Sequence, residues 1–163
     1  MIDFCKLVAH ADDAEFAAKF GDYVDLEEFS RFMATTVWLS TLDSLLTIGQ
    51  NLYVYLDPRS NKFQFMPWDL DHSFGQFPMA GSQEQREQLS IRHPWRGDVR
   101  LLERAFKVDA FKKLYLARMQ EFSDKVGVSE TVLCGHLDDQ AELHGLLERL
   151  QDMGFELLAV RRD

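Results

Sequence analysis

The stretch Asn51–Gly75, NLYVYLDPRSNKFQFMPWDLDHSFG, decides how this chain is read. Asn51 to Asp57 is rich in aromatic and branched residues, which suits a pleated, half-buried strand. Pro58 to Lys62 (PRSNK) carries turn chemistry, and Phe63 to Met66 returns with Phe63 and Phe65 on one face. The two runs, about 51–57 and 63–67, therefore predict a β-hairpin. Pro67 is expected to end its ladder because it has no N–H to donate.

Upstream the pattern is helical. Ile2, Phe4, Leu7 and Val8 form a short apolar face. Asp12 is placed to cap a second helix with Phe16 and Phe20 inward, which Gly21 is expected to break. Asp25 is placed to cap a long helix, with Glu27 and Glu28 favoured by the dipole in its first turn. Its apolar residues run from Phe29 through Trp38 to Leu46, so a single central helix reaching Gly49 is expected, with Trp38 in the core.

Downstream, 68–96 reads as a long loop punctuated by Gly75, Pro78, Gly81 and Pro94. A loop of that length inside a domain is usually functional or mobile. Val99 to Phe106 and Phe111 to Phe122 return to helical spacing, and 129–163 reads as one or two amphipathic helices. The fold class expected is α+β, predominantly helical, around a central hairpin, with 1–163 as a single domain or part of one.

The chain has 163 residues and a formal net charge of −9. Such a field disfavours unspecific binding to nucleic acid or anionic lipid, but not a nucleotide held through a divalent cation. No apolar run is long enough to span a bilayer, and the opening residues lack the pattern of a signal peptide. Cys5 and Cys134 have neither disulfide-framework nor zinc-site spacing and are expected to be buried or half-buried thiols.

The chemistry concentrates in Pro67–Gly75. Asp69 and Asp71, at i and i+2 on an extended chain, would project to one side just past a strand. Hard cations such as Mg²⁺ and Mn²⁺ take such oxygens together with substrate phosphates and water. Alone, the pair reads more readily as an exposed acidic turn. Asn51 adds an amide oxygen at the start of the same hairpin, and Asp43 is an acid among Leu42, Leu45 and Leu46, costly to bury unless paired. An Asp, a downstream Asn and an Asp after the next hairpin is the order in which kinase-type phosphotransferases set out an acceptor base and metal ligands. Trp68 is expected to anchor the Asp69 backbone by packing. His72 lies inside the motif, and Arg92, His93 and Arg96 make a small basic cluster within IRHPWRG, where a phosphate or an acidic peptide could be received. His10, His136 and His144 read as isolated, exposed residues.

The stretch from Tyr23 to Gly75 resembles the spore coat protein H (CotH) kinase family. It does so through YVDLEEFSRFMATTVWL, Leu42-Asp43, the aromatic strand ending in Asp-Pro, and PWDLDHSFG. The likeness continues more loosely through DVRLLERAFKVDAFKKLYLARMQEF. The resemblance implies an atypical protein-kinase fold with ATP and Mg²⁺ or Mn²⁺ as cofactors and a Ser/Thr-bearing coat or surface protein as substrate. It places Asp43 at the catalytic position, Asn51 and Asp69 at the metal and nucleotide, and Asp71 as further metal support. It also points to a spore-coat, cell-surface or secreted setting. No glycine-rich loop or Lys-bearing strand precedes Asp43, and Lys6 and Lys19 fall on expected helices. The chain thus reads as the C-terminal, metal-binding half of such a domain, with its nucleotide-covering lobe missing. The alternatives are a non-catalytic kinase-fold scaffold in a coat or surface assembly, and a DxD-dependent phosphohydrolase or sugar transferase.

Overall fold

The computed structural model describes residues 1–125; the helical segment expected over 129–163, with Cys134, lies outside them. The described part is α+β, about half helical, with one two-stranded antiparallel sheet. Three helices open it: α1 (Ile2–His10), α2 (Asp13–Tyr23) and α3 (Leu26–Trp38). The hairpin follows as β1 (Leu52–Asp57) and β2 (Lys62–Pro67), then the short α4 (Gln83–Glu87), α5 (Arg100–Ala105) and α6 (Asp109–Lys125).

The caps are those the sequence dictates. Asp12 accepts from the Glu15 N–H at 2.7 Å, and Asp25 from the Glu27 and Glu28 N–H groups. Gly21 does not break α2, which runs through it to Tyr23. A helical glycine costs about 1 kcal/mol. Burying the Phe20 ring completely, which is worth ~1.5–3 kcal/mol, outweighs that cost.

α3 ends earlier than its apolar pattern predicts. Leu39 is its C-cap, and Ser40 adopts φ 48°. The Ser40 N–H donates to Val37 O at 2.9 Å and the Thr41 N–H to Thr36 O at 3.0 Å, a Schellman closure. Residues 41–50 are consequently a sequence of tight turns, not helix. Trp38 therefore sits at a helix end, 39 % exposed, its ring 5.8 Å from Phe122, and is not a core residue.

One aromatic core holds the elements together. Phe16 and Phe20 of α2, Phe29 of α3, and Phe111 and Tyr115 of α6 are all buried, with Phe63 and Phe65 of β2 against them. Arg104 of α5 is buried too. It donates to the Leu7 and Val8 carbonyls at 3.0 and 2.9 Å, and to Ala11 O, capping the open end of α1. Its guanidinium lies 4.8 Å from the Phe16 ring centroid. Cys5, expected to be buried or half-buried, is exposed on α1.

The hairpin register runs from Leu52 opposite Pro67 to Asp57 opposite Lys62. Phe63 turns its carbonyl away from β1 and accepts the Asp25 N–H at 3.4 Å, with Val24 bridging to Phe63. The Leu56–Phe63, Val54–Phe65 and Leu52–Pro67 pairs are therefore the non-hydrogen-bonded ones. Pro67 thus lacks an N–H where the ladder needs none. Pairing continues past it, with the Trp68 N–H donating to Asn51 O at 2.9 Å.

The expected loop 68–96 is only partly loop. Pro78–Ala80 forms a 3₁₀ turn, and SQEQREQ forms α4 behind a capping box between Ser82 and Gln85.

Candidate functional site

Asp43 lies in the turns after α3 and is 8 % exposed. Gln50, at the far end of the same turn segment, donates its Nε2 to Asp43 Oδ1 at 2.5 Å. Asn51, at φ 56°, donates its Nδ2 to the Asp43 main-chain oxygen at 2.8 Å. Through its own carbonyl Asn51 also holds Trp68 N–H, the residue before Asp69. One asparagine thereby ties the Asp43 turn to the chain that presents Asp69.

The rest of the motif is fastened to the end of α3. The Phe74 N–H donates to Leu39 O at 2.6 Å and the Gly75 N–H to Ser40 O at 3.0 Å. Beneath them Ser73 Oγ donates to Leu70 O at 2.8 Å, and Thr41 Oγ1 and Ser73 Oγ lie 3.0 Å apart. The hydroxyl proton of Ser73 is thus committed, so Thr41 is the donor in that pair. The early end of α3 is what makes this possible: it frees the Leu39 and Ser40 carbonyls to accept the motif loop.

Non-glycine residues with positive φ gather here. Ser40, Asn51, Asp69 and Phe74 are four of the five among the described residues; the fifth, Asn61, is in the hairpin turn. Each such residue stores strain that the surroundings must hold, a feature that clusters at functional sites. At φ 53° Asp69 leaves the extended conformation, so the alternation expected to carry Asp69 and Asp71 to one side does not operate. Both carboxylates are exposed, and neither is in an ion pair among the described residues.

The remaining expected residues divide. His72 is half-buried with its ring 5.8 Å from Phe77. Arg96 is engaged structurally. Its N–H donates to Leu46 O at 2.8 Å and its guanidinium to Ala80 O. A Cβ at Gly81, whose φ is 104°, would collide with that guanidinium. Arg92 is exposed and lines a separate cleft with Phe106, Lys112, Tyr115 and Leu116. Tyr115 closes its floor, its hydroxyl donating to Ile91 O at 2.8 Å, and burial pushes that hydroxyl far above its ordinary range. Neither arginine is tied to Asp43, Asn51 or Asp69 by the bonds that join those three. Trp68 is no buried anchor: it is 57 % exposed, edge-on to Tyr53 at 5.4 Å.

The sequence reading missed Gln50, Thr41, Ser73 and Ser40. Ser40, Thr41 and Ser73 carried a signal as small hydroxyls beside apolar residues, and Gln50 carried none. The side-chain oxygens of Asp69, Asp71 and Asn51 are hard donors of the kind that Mg²⁺ or Mn²⁺ takes. Among the described residues no three His, Cys, Asp or Glu group to hold a metal ion.

The family model for CotH kinase protein matches residues 1–132. The chain belongs to the CotH kinase family. Membership points to a kinase-type function, and the CotH match spans every element that builds this site. No curated protein and no solved structure matches the chain. No helix among the described residues is long and apolar enough to cross a membrane.

Proposed function

We propose that this chain carries the catalytic part of an ATP- and divalent-metal-dependent kinase that phosphorylates Ser or Thr of a coat or surface protein. The observation that supports this reading best is the Asn51 tie, which joins the Asp43 turn to the Asp69 segment. In the proposed roles, Asp43 accepts the acceptor hydroxyl's proton. Gln50 holds Oδ1, leaving Oδ2 to face substrate. Asn51 Oδ1, Asp69 and Asp71 hold Mg²⁺ or Mn²⁺ and, through it, ATP. Bound there, the metal offsets charge that develops on the transferred phosphoryl group. His72 would contact phosphate or acceptor at the margin; Arg92 lines a separate cleft, and Arg96, already bonded to Ala80, would shape the loop instead.

A second reading, a kinase-fold scaffold in a coat or surface assembly, differs from the first in binding no nucleotide. The thermal unfolding midpoint with and without Mn²⁺·ATP separates the two. A ligand at 100 times its Kd adds ~2.7 kcal/mol to the folded state. A metal- and nucleotide-dependent rise, lost in Asp69→Asn, is expected for the kinase. No rise in either protein would favour the scaffold.

A further inference from the structure

The hairpin has one covered edge and one open edge. β2 is closed off by Val24 and Asp25, while no described residue pairs with the outer edge of β1. The register fixes which groups point outward there: the N–H and C=O of Leu52, Val54 and Leu56. The strand is also open on its faces, since Tyr53, Val54, Tyr55 and Leu56 are 52, 40, 47 and 45 % exposed. Edge strands are normally blunted by Lys, Pro, a bulge or an inward charge. Leu52–Leu56 has none of these.

We propose that this edge seats a second copy of the chain, with the two β1 strands antiparallel about a two-fold axis at Val54. Five observations select a second copy over another strand. The outward groups at Leu52, Val54 and Leu56 are centred on Val54, so one two-fold axis uses all of them. LYVYL reads the same in both directions, so the axis sets Leu against Leu, Tyr against Tyr and Val against Val. Tyr53 meets Tyr55 of the second copy, an aromatic cross-strand pair of the kind that stabilises antiparallel sheets. Asp57 meets Asn51 of the second copy, not another carboxylate. Centring the axis on Leu56 instead would bring Pro58 into the ladder, where it cannot donate. The result is a four-stranded sheet, and the small area of one strand pair makes a weak, concentration-dependent dimer.

Sedimentation equilibrium of the whole chain tests this, compared with Val54→Pro and Val54→Lys. The Val54 N–H takes no part in the β1–β2 ladder, so proline removes a bond at the free edge only. It is expected to weaken the dimer about tenfold or more, through two lost bonds per dimer, with the circular dichroism spectrum kept. Val54→Lys sets two charges face to face on the axis, and is expected to dissociate the dimer should the proline variant not fold. Each copy carries a net charge of −9, so added salt is expected to tighten the dimer. A chain monomeric at the highest attainable concentration, a dimer indifferent to both substitutions, or one loosened by salt would each overturn the proposal.

Discussion

Asn51 donates its side-chain N–H to the backbone carbonyl of Asp43 at 2.8 Å, across a segment that has no regular structure of its own. The bond links the turn after α3 to the start of the hairpin. It also explains why an asparagine tolerates φ 56° there, since Asn is among the residues that enter the left-handed region most readily.

Substituting Asn51 separates these two contributions. Asn51→Ala loses the bond and keeps a Cβ in the left-handed region without the amide that lets Asn tolerate it, for a combined loss of ~2 kcal/mol. Asn51→Gly loses the bond without the steric cost and is expected to be the milder variant. Urea unfolding measures both. If the Asn51 oxygen is also a metal ligand, both variants lose the Mn²⁺·ATP-dependent rise in unfolding temperature. Equal destabilisation by Ala and Gly would mean that backbone strain is not a contribution at this position.

Thr41 and Ser73 form a buried hydroxyl pair under the motif loop, and removing either partner has unequal consequences. Ser73→Ala strands the fully buried Thr41 hydroxyl, while the Leu70 carbonyl keeps the backbone N–H of residue 73 at 3.2 Å, for ~1–2 kcal/mol. Thr41→Val leaves Ser73 still bonded to Leu70, for ~1 kcal/mol. The double variant is expected to be about 1 kcal/mol less destabilised than the sum. Chemical denaturation of the four proteins completes the cycle. Strict additivity would show that the 3.0 Å approach contributes no coupling.

Acid sensitivity follows from carboxylates away from the site. Asp13 titrates below its ordinary range chiefly because Lys107 donates to it, with Arg104 adding to the effect. Asp57 does so because the Arg59 N–H and the Ser60 hydroxyl bond to it in the hairpin turn. Glu121 does so between Lys125 and Arg118. A carboxyl whose folded pKa is depressed contributes stability above its unfolded pKa and loses it as pH falls through the folded value. Stability is therefore expected to hold near neutrality and to fall from about pH 4 downward. Asp13→Asn and Asp57→Asn should each flatten the acid limb of the unfolding midpoint against pH. An unchanged limb in both would remove these groups as its cause.

What was legible in the sequence had local causes. The caps at Asp12 and Asp25 need only a short side chain and the next three residues. The hairpin needs only its alternation and turn. Asp43, Asn51 and Asp69 could be named together because their order and spacing follow a phosphotransferase pattern. What was not legible depended on partners far along the chain. Residues 41–46 are as apolar as a helix, and nothing local says that the Leu39 and Ser40 carbonyls are needed by Phe74 and Gly75. Trp38 read as core and Trp68 as a packing anchor, but both stand at element ends, where their burial is set by neighbours. Arg104 read as part of a helical pattern, although its work is on α1, more than ninety positions earlier.

The early stop of α3 gives the last prediction. The stop depends on Ser40 at φ 48°, a position that glycine usually fills. Left-handed geometry costs a side-chain-bearing residue ~1–2 kcal/mol, whereas glycine carries ~0.5–1 kcal/mol of extra unfolded-state entropy. Ser40→Gly is therefore expected to stabilise the chain by ~0.5–1 kcal/mol, read as a higher urea midpoint with unchanged slope. Ser40→Val, branched at Cβ and least suited to this conformation, is expected to destabilise it and to loosen the motif loop, because Gly75 bonds to the Ser40 carbonyl. If instead Ser40→Val were neutral, the turn would not be held left-handed in solution. The helix could then extend toward Leu46, and Asp43 would lose the turn that sets it beside Asn51.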